Sequence, residues 1–346
     1  MANSSRLLFI TLGDKSKASS RVRAYWIAQE LQAYLSVRLM HGHALKKFLA
    51  FAWHIALSEV VIFQKCYGKY HLLLIKWGRL LGKQVFLDID DSPSRNNNPA
   101  TLKYFKACAQ AASGVLAGSP FLVEYVRQFQ PLVHYWPTGV RTRNYKVKTD
   151  FAAPLTIGWI GNGPHYKQDL LEILKPVVMA LAQQVSFKLK IIGLCGDAEL
   201  SEAFKAVPGL KIEWVDQLNW EDPSAIRQGI QEFDIGVYPL QRNEFNQYKC
   251  GFKALEYMAS GLPTIASANS ANSAIIQSGK TGFIADTLAD WRDKLMLLLQ
   301  QKQLVKEMGE KARLRAENHY DTAILAKQLL VFTKLETNHP AKLQTN

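Results

Sequence analysis

The sequence predicts an α/β protein made of two doubly wound domains, each with a parallel sheet. Short apolar runs of strand length alternate with amphipathic helical stretches along almost the whole chain. The alternation is interrupted once by a polar, basic segment that ends near residue 150. A chain of 346 residues is also too long for one ordinary core. We therefore place one domain at residues 1–150 and the other at residues 151–346.

The stretch from Phe233 to Ser267 predicts a strand, a helix and a second strand. The apolar run 233–240 and the shorter run 264–267 are typical of buried strands. Between them, apolar residues recur on one face of a helix that begins at Phe252 and ends before Gly261. In such a βαβ unit the helix N-terminus opens at the carboxyl edge of the sheet, where ligands bind.

The start of this helix has the residues of an anion site. Gly251 lets a ligand approach the backbone closely, and free N–H groups around Gly251 and Phe252 lie at the positive end of the helix dipole. Lys249 and Lys253 add two positive charges. We expect these residues to bind a diphosphate.

The strand DIGV-Pro-Leu, the helix Lys249...Lys253-x-x-Glu256 and the ending EYMASGLP together resemble the nucleotide-sugar site of retaining GT-B glycosyltransferases of family 4, group 1. The resemblance implies two Rossmann-like domains facing across a cleft, with the last helix, about 322–335, crossing back to the first domain. It also implies that Glu256 binds the donor ribose. The family's other glutamate position falls on Tyr248, so this chain is similar to the members with a Lys-x3-Lys-x2-Glu pattern.

A glycine-containing loop follows the first predicted strand of the second domain, 155–160. Strand, glycine loop and helix favour phosphate binding. A dinucleotide fingerprint does not match, because the glycine order is wrong and no acidic residue stands about 20 positions later. By resemblance, the family's Gly-Arg-x4-Lys phosphate loop corresponds to Gly161, Asn162 and Lys167, with Asn in place of Arg.

Three carboxylates, Asp88, Asp90 and Asp91, follow a predicted strand in the first domain. Carboxylates at a strand's carboxyl end can hold a metal, act as a base or bind sugar hydroxyls. The resemblance places Asp90 where the family often has a histidine near the transferred sugar. Capping and ion pairing are the structural alternatives, and Asp88-Ile89-Asp90 has the spacing of a metal motif. Since GT-B enzymes generally bind the diphosphate without metal, we expect no metal cofactor.

A serine-rich loop precedes the helix predicted from about Arg21 to Leu35. Ser19, Ser20 and the neighbouring arginines gather anion-binding groups at the helix start. The resemblance implies that this loop faces donor or acceptor. The alternative is an N-cap serine with solvated arginines.

The net charge of +13 lies entirely in the first domain, where residues 1–150 have 21 basic and 8 acidic side chains. Such an excess predicts an anionic partner: a membrane surface, a phosphate-bearing acceptor or nucleic acid. Nucleic acid is disfavoured because no RRM, KH, zinc-finger or helix-turn-helix signature occurs. A basic surface with no specific partner is the remaining alternative.

Membrane-spanning and secreted classes are disfavoured. The apolar stretch 48–63 is interrupted by polar residues and too short to span a bilayer, so it predicts a helix running into a strand. The run 7–12 is too short for a signal peptide and predicts the first strand. Four cysteines without metal spacing favour a reduced, cytoplasmic protein.

We therefore expect a retaining glycosyltransferase that moves a sugar from a nucleotide diphosphate donor to a hydroxyl of a glycan or lipid-linked acceptor, as in polysaccharide biosynthesis. Its catalytic residues would be Asp90, Lys253 and Glu256, with the donor in the second domain. It would lie in the cytoplasm, peripheral on the inner face of the membrane. The alternatives are a non-catalytic GT-B-like nucleotide-binding or membrane-associated protein and a nucleotide-sugar epimerase.

Overall fold

A computed structural model describes residues 6–93 and 98–335, except for the side chain of Ser270. The chain forms two compact units. The first contains residues up to Gly139, the short segment Tyr248–Cys250 and the chain from Asp321 onward. The second contains Val140–Gln247 and Gly251–Tyr320.

The units divide at Gly139, earlier than the boundary near 150 that the sequence suggests. The polar segment after Gly139 contributes Val140, Tyr145 and Phe151 to the core of the second unit. These three side chains are at most 5% exposed. Their burial explains why the segment does not behave as a linker.

Each unit contains a six-stranded sheet in which every strand pair is parallel. The strands of the first sheet are β1 Leu7–Thr11, β2 Val37–His41, β3 Val60–Gln64, β4 Gln84–Ile89, β5 Gly114–Ala117 and β6 Val133–Tyr135. Those of the second are β7 Thr156–Ile160, β8 Lys188–Ile192, β9 Lys211–Val215, β10 Ile235–Tyr238, β11 Thr264–Ser267 and β12 Gly282–Ala285. The predicted pair of doubly wound α/β domains is confirmed.

The connections between strands are helical, as parallel pairing requires. The α-helices of the described residues are α1 Ala18–Ser20, α2 Trp26–Leu31, α3 Phe48–Ala56, α4 Lys69–Leu80, α5 Pro99–Ala111, α6 Pro120–Arg127, α7 Lys167–Asp169, α8 Lys175–Ala182, α9 Ala198–Lys205, α10 Pro223–Ile230, α11 Glu244–Gln247, α12 Phe252–Ala259, α13 Ser270–Ile275, α14 Leu288–Gln300, α15 Lys302–Arg315 and α16 Thr322–Thr333. Short π-helical segments occur at Arg21–Tyr25, Leu170–Leu174 and Ala316–Tyr320.

The strand orders locate the edge where a ligand would bind in each sheet. The first sheet runs β2-β1-β3-β4-β5-β6 and the second β12-β11-β10-β7-β8-β9. The direction of winding therefore reverses between β1 and β3, and between β10 and β7. Ligands of open α/β sheets bind at the carboxyl ends of strands beside such a reversal.

Several elements differ from the sequence predictions. The helix after β1 begins at Ala18 and not at Arg21, and α2 ends at Leu31 and not at Leu35. Strand β2 and helices α4 and α9 were not predicted. Within the described residues, no helix is both long and apolar enough to cross a bilayer.

Candidate functional site

Helix α12 is fixed to the carboxyl edge of the second sheet by Tyr257. The Tyr257 hydroxyl accepts a hydrogen bond from the backbone N–H of Ile160, the last residue of β7, at 3.2 Å. Gly236 in β10 leaves room for the Tyr257 ring, since a Cβ there would lie 2.4 Å from it. The helix start consequently lies beside β7 and β10, where the winding of this sheet reverses.

The N-terminus of α12 requires a glycine. Gly251 is the N-cap residue, with φ of 71° in the left-handed region that disfavours a side chain. A Cβ at this position would also meet Ile275 Cδ1 at 2.5 Å. Glycine has no side chain that could accept a hydrogen bond from the first N–H groups of the helix. The backbone N–H groups of the first turn, from Phe252, thus have no capping side chain on Gly251, and their binding of an anion stays a prediction.

Lys253 lies among three aromatic rings close to this helix start. Its Nζ is 3.9 Å from the ring centroid of Tyr166, 5.2 Å from that of Tyr238 and 5.9 Å from that of Trp159. Across residues 6–93 and 98–335, no carboxylate forms an ion pair with it. Rings attract the ammonium without cancelling its charge, so Lys253 can still attract an anion.

Glu256 lies one turn further along α12 and is 7% exposed. One of its carboxylate oxygens accepts a hydrogen bond of 2.9 Å from the hydroxyl of Tyr145. Tyr145 is held in turn by Arg313, which donates to its carbonyl oxygen at 3.0 Å. The sequence did not single out Tyr145, because it lies in a basic segment that resembles a linker. This contact fixes the orientation of the carboxylate that we predicted to bind ribose.

The loop after β7 lies close to the start of α12. A Cβ on Gly161 would lie 2.8 Å from Cε of Lys253, so the glycine brings this loop against the helix start. Asn162 caps a 3₁₀ turn, its side chain accepting a hydrogen bond from the N–H of His165 at 3.1 Å. Its predicted contact with phosphate stays a prediction.

Lys167, which ends the same loop, already has anionic partners. Its Nζ lies 2.7 Å from Asp197 Oδ2 and 2.9 Å from Glu199 Oε2. These hydrogen bonds raise the pKa of Lys167 above its usual value. The lysine is thus charged but compensated, in contrast to Lys253. Lys249 groups with the first unit, and its contact with a diphosphate likewise stays a prediction.

The three carboxylates at the end of β4 have separate environments. Asp88 is fully buried and accepts hydrogen bonds on both oxygens from Arg23, at 3.0 and 2.9 Å from Nε. Arg23 also donates to the carbonyl oxygen of Trp136 and stacks over its ring at 4.7 Å. This arrangement holds β4 to the helix after β1, so Asp88 serves the core of the first unit.

Asp90 is paired with Lys65, the residue after β3, at 3.1 Å. Burial opposes ionisation of Asp90, but the charges of Lys65 and Arg23 hold its pKa below the usual value. Asp91 is more exposed and lies 3.7 Å from Lys65 Nζ. Ion pairing, one of the alternatives that the sequence left open, is therefore present. The described residues contain no group of three or more His, Cys, Asp or Glu placed to hold a metal.

The serines of the first loop have a structural contact. Ser20 is buried, accepts a hydrogen bond from the N–H of Gly13 and donates to Gln64 Oε1 at 3.0 Å. Gln64 ends β3, so this contact ties the loop to the edge where the first sheet reverses. Ser19 is half-buried. The N-cap of this helix is Lys17, so the serine N-cap alternative is not the one observed.

A cavity of about 250 Å³ opens in the first unit at the carboxyl ends of β1, β2 and β3. Its lining includes Thr11, His43, Lys69, Tyr70 and His71. Burial, with a smaller contribution from the charge of His43, lowers the pKa of His71 to about 4. His71 is therefore neutral near pH 7 and can donate or accept a hydrogen bond.

The second unit has a larger cavity of about 500 Å³ at the carboxyl ends of β10, β11 and β12. Its polar lining includes Glu172, Arg242, Asp286 and Thr287, and Arg242 pairs with Asp286. None of the predicted site residues lines it. No sequence pattern indicated either cavity, because the lining residues come from segments far apart in the chain.

A known protein family matches part of the second unit. Residues 154–301 match the sequence profile of the family described as "Glycosyl transferases group 1". Apart from Tyr248–Cys250, the matched segment lies within the second unit. The predicted enzyme class, a glycosyltransferase, is confirmed. No curated protein matches the chain.

Solved structures of low sequence identity share the fold over nearly the whole chain. "Anabaena Alr3699/HepE in complex with UDP and glucose" has a TM-score of 0.69 and 14% identity, covering 96% of this chain and 100% of that one. The "lipopolysaccharide outer core galactosyltransferase WaaB apo form" has a TM-score of 0.66 and 15% identity, and the match covers 95% of this chain and 99% of that one. TarM, solved from S. aureus, has a TM-score of 0.62 and 17% identity. The match covers 82% of this chain and only 57% of TarM. These likenesses confirm the GT-B fold of the glycosyltransferase.

Proposed function

We propose that the protein is a retaining glycosyltransferase that uses a nucleoside diphosphate sugar and a hydroxyl acceptor. The observation that carries this proposal is the start of α12, where the N-cap residue Gly251 has no capping side chain. Next to it lies Lys253, which pairs with no carboxylate within the described residues. The group 1 profile match over the same domain supports it. Retention of the anomeric configuration rests on the sequence resemblance.

The donor diphosphate would lie at the start of α12. Negative charge grows on the diphosphate as the bond to the sugar breaks, so groups that stabilise this charge accelerate the reaction. The first-turn N–H groups and the helix dipole point at that charge, and Lys253 adds a full positive charge. With these donors in place the site has the means to stabilise a diphosphate without a metal ion, and we propose that it does so.

Glu256 would bind the ribose hydroxyls of the donor. A carboxylate is a strong acceptor for a pair of hydroxyls. Because Tyr145 donates to one carboxylate oxygen, the side chain is oriented before the donor arrives. Preorganisation of this kind reduces the entropy lost on binding.

The acceptor would be held by the first unit, in the cavity lined by Thr11, Tyr70 and neutral His71. These side chains offer hydrogen bonds suited to hydroxyl groups. Asp90 and the loop at Ser19 and Ser20 stay proposed contacts of sugar or acceptor. WaaB is described as a lipopolysaccharide outer core galactosyltransferase, and we propose a glycan or lipid-linked acceptor for the present protein.

UDP is the nucleotide to test first, since HepE was solved with UDP and UDP-glucose. A thermal-shift panel would compare UDP, GDP, ADP and CMP, each with magnesium and with EDTA. A ligand at about 100 times its dissociation constant adds roughly 2.7 kcal/mol of stability. We expect one diphosphate to raise the Tm equally in both conditions. A shift that disappears with EDTA would contradict metal-independent binding.

Two further measurements separate the proposal from its alternatives. The anomeric configuration of the product, read by proton NMR, would be that of the donor, and inversion would contradict retention. Incubation with donor alone would leave the sugar unchanged apart from slow hydrolysis. Conversion of the donor to an epimer would instead identify a nucleotide-sugar epimerase.

A further inference from the structure

The first unit has an unusual concentration of exposed apolar side chains. Of the thirteen large apolar residues that are exposed within the described part of the chain, seven lie between residues 45 and 81. We call these seven the apolar face: Leu45, Leu49, Trp53, Leu73, Trp77, Leu80 and Leu81. Scattered exposed apolar residues need no explanation, but a contiguous group indicates an interaction surface.

Five residues of the apolar face lie on two helices in contact, and the other two lie just outside the helix ends. Leu49 and Trp53 are one turn apart on α3, and Leu73, Trp77 and Leu80 follow one side of α4. The Trp77 indole N–H donates to the carbonyl oxygen of Ala52 at 3.3 Å, which joins the two helices.

The opposite sides of both helices are buried in the domain core. Phe51 and Ile55 of α3 and Leu74 and Ile75 of α4 are 0% exposed. Each helix is thus apolar on two sides, one of which faces the core. The exposed side is therefore not required to anchor either helix, and its apolar character needs a separate cause.

The charges around the apolar face are almost all positive. Between Arg38 and Lys83 the chain has eight lysine and arginine residues and a single acidic residue, Glu59. Glu59 is already bonded to Arg6, at 2.8 Å. Lys46, next to α3, and Lys76, within α4, are exposed. Lys65 is paired with Asp90, but the described residues show no ion pair for Lys46 or Lys76. The surface thus combines apolar groups, two indole rings and exposed cations.

We propose that α3 and α4 form a membrane-docking surface that inserts into the interface of an anionic bilayer. Tryptophan is favoured at the boundary between headgroups and acyl chains, and leucine side chains gain by burial beneath it. Lysines beside them attract anionic headgroups, whereas the core of a protein interface is depleted in lysine. The surface specifies how the proposed acceptor side of the enzyme meets a membrane, and its test does not depend on donor chemistry.

The test is cosedimentation with vesicles of phosphatidylglycerol and phosphatidylcholine in equal parts, compared with phosphatidylcholine alone. We expect binding to the anionic vesicles and weaker binding to the neutral ones. The double variant Leu49→Glu/Leu80→Glu should lower the partition coefficient by at least about tenfold. Both side chains are about 80% exposed, 83% and 79%, so the fold should be unaffected. A circular dichroism melt would verify this.

The matched control is Leu314→Glu/Val331→Glu, which replaces exposed apolar residues outside the apolar face by the same charge. It should bind vesicles as the unmodified protein does. An equal loss of vesicle binding in both double variants would show a general effect of added negative charge and overturn the proposal. Full binding by Leu49→Glu/Leu80→Glu would also overturn it.

Insertion can be read directly from tryptophan fluorescence. Lipids brominated on the acyl chain should quench the protein's fluorescence, and Trp53→Phe/Trp77→Phe should remove most of that quenching. Binding without quenching would indicate headgroup contact alone and contradict insertion. If light scattering shows that Leu49→Glu/Leu80→Glu dissociates an oligomer without changing vesicle binding, a second copy covers the surface instead. The UDP thermal shift of this variant should be unchanged, which separates this proposal from that of the donor site.

Discussion

Two cations near the carboxyl edge of the first sheet and one near that of the second have different kinds of partner. In the first unit, Arg23 and Lys65 are bonded to the carboxylates Asp88 and Asp90. In the second, Lys253 is surrounded by aromatic rings. A carboxylate neutralises a cation and rigidifies the fold, whereas a ring leaves most of the positive charge available to a ligand. The comparison distinguishes charges that stabilise structure from charges that can bind substrate.

The largest expected effect is the loss of stability when the ion pair between Arg23 and Asp88 is broken. Arg23→Leu leaves the Asp88 carboxylate buried without its partner, which typically costs about 3–5 kcal/mol. Urea unfolding of the purified variant measures this loss. The matched control is Arg127→Leu, which removes an exposed pair with Glu124 and should cost less than about 1 kcal/mol. Equal losses in the two variants would contradict a structural role for Arg23.

Acid should weaken the first unit through His71. Its pKa is about 4 in the folded protein and about 6.5 in an unfolded chain. Between these values the unfolded state binds more protons, so the free energy of unfolding falls as the pH is lowered from 6.5 to 4. The loss is about 3 kcal/mol at most. His71→Gln should flatten this part of the stability profile, measured by urea unfolding at stepped pH. An unchanged slope would show that His71 titrates normally.

A comparison of Lys253 with Lys167 tests whether neighbouring carboxylates reduce a lysine's contribution to UDP binding. Lys253→Ala should weaken UDP binding by about 1.5–3 kcal/mol, because a charged hydrogen bond is lost. Lys167→Ala should cost under about 1 kcal/mol, since Asp197 and Glu199 already share its charge. Isothermal titration calorimetry measures both, with the exposed Lys306→Ala as control. If Lys167→Ala has the larger effect, the ligand displaces those acids and the comparison fails.

The smallest effect concerns the orientation of Glu256. Tyr145→Phe removes one hydrogen bond to its carboxylate and should lower UDP affinity by about 1 kcal/mol. CMP or UMP should be affected as much as UDP if the carboxylate binds ribose. A loss confined to the diphosphate would place Glu256 elsewhere.

The sequence predicted the fold and the start of α12 because both depend on local patterns. Alternating apolar runs specify strands and helices, and a glycine before a helix is readable at a single position, Gly251. Helix α4 was missed for a physical reason: Leu73 and Trp77 are exposed while Leu74 and Ile75 are buried. Because α4 has apolar residues on two sides, its sequence does not show the apolar period of a helix with one buried face.

Contacts between distant residues were not readable. Lys65 meets Asp90 because β3 and β4 are adjacent in the sheet, and Tyr145 reaches Glu256 from a segment that reads as a linker. The sequence placed the carboxylates Asp88, Asp90 and Asp91 together but could not say which cation each one meets. That assignment depends on strand order, which composition and spacing do not encode.

The first unit is completed by residues that the ribosome makes after the second unit. Helix α16 supplies Leu325, Ala326 and Leu329 to the same core as Phe9, and the Trp136 indole donates to the carbonyl oxygen of Leu325 at 3.1 Å. All of the second unit is synthesised between these partners. Translation proceeds at about 5–20 residues per second, so part of the core of the nascent first domain stays exposed for on the order of ten seconds or more. During translation this half of the enzyme is therefore a natural client for chaperones.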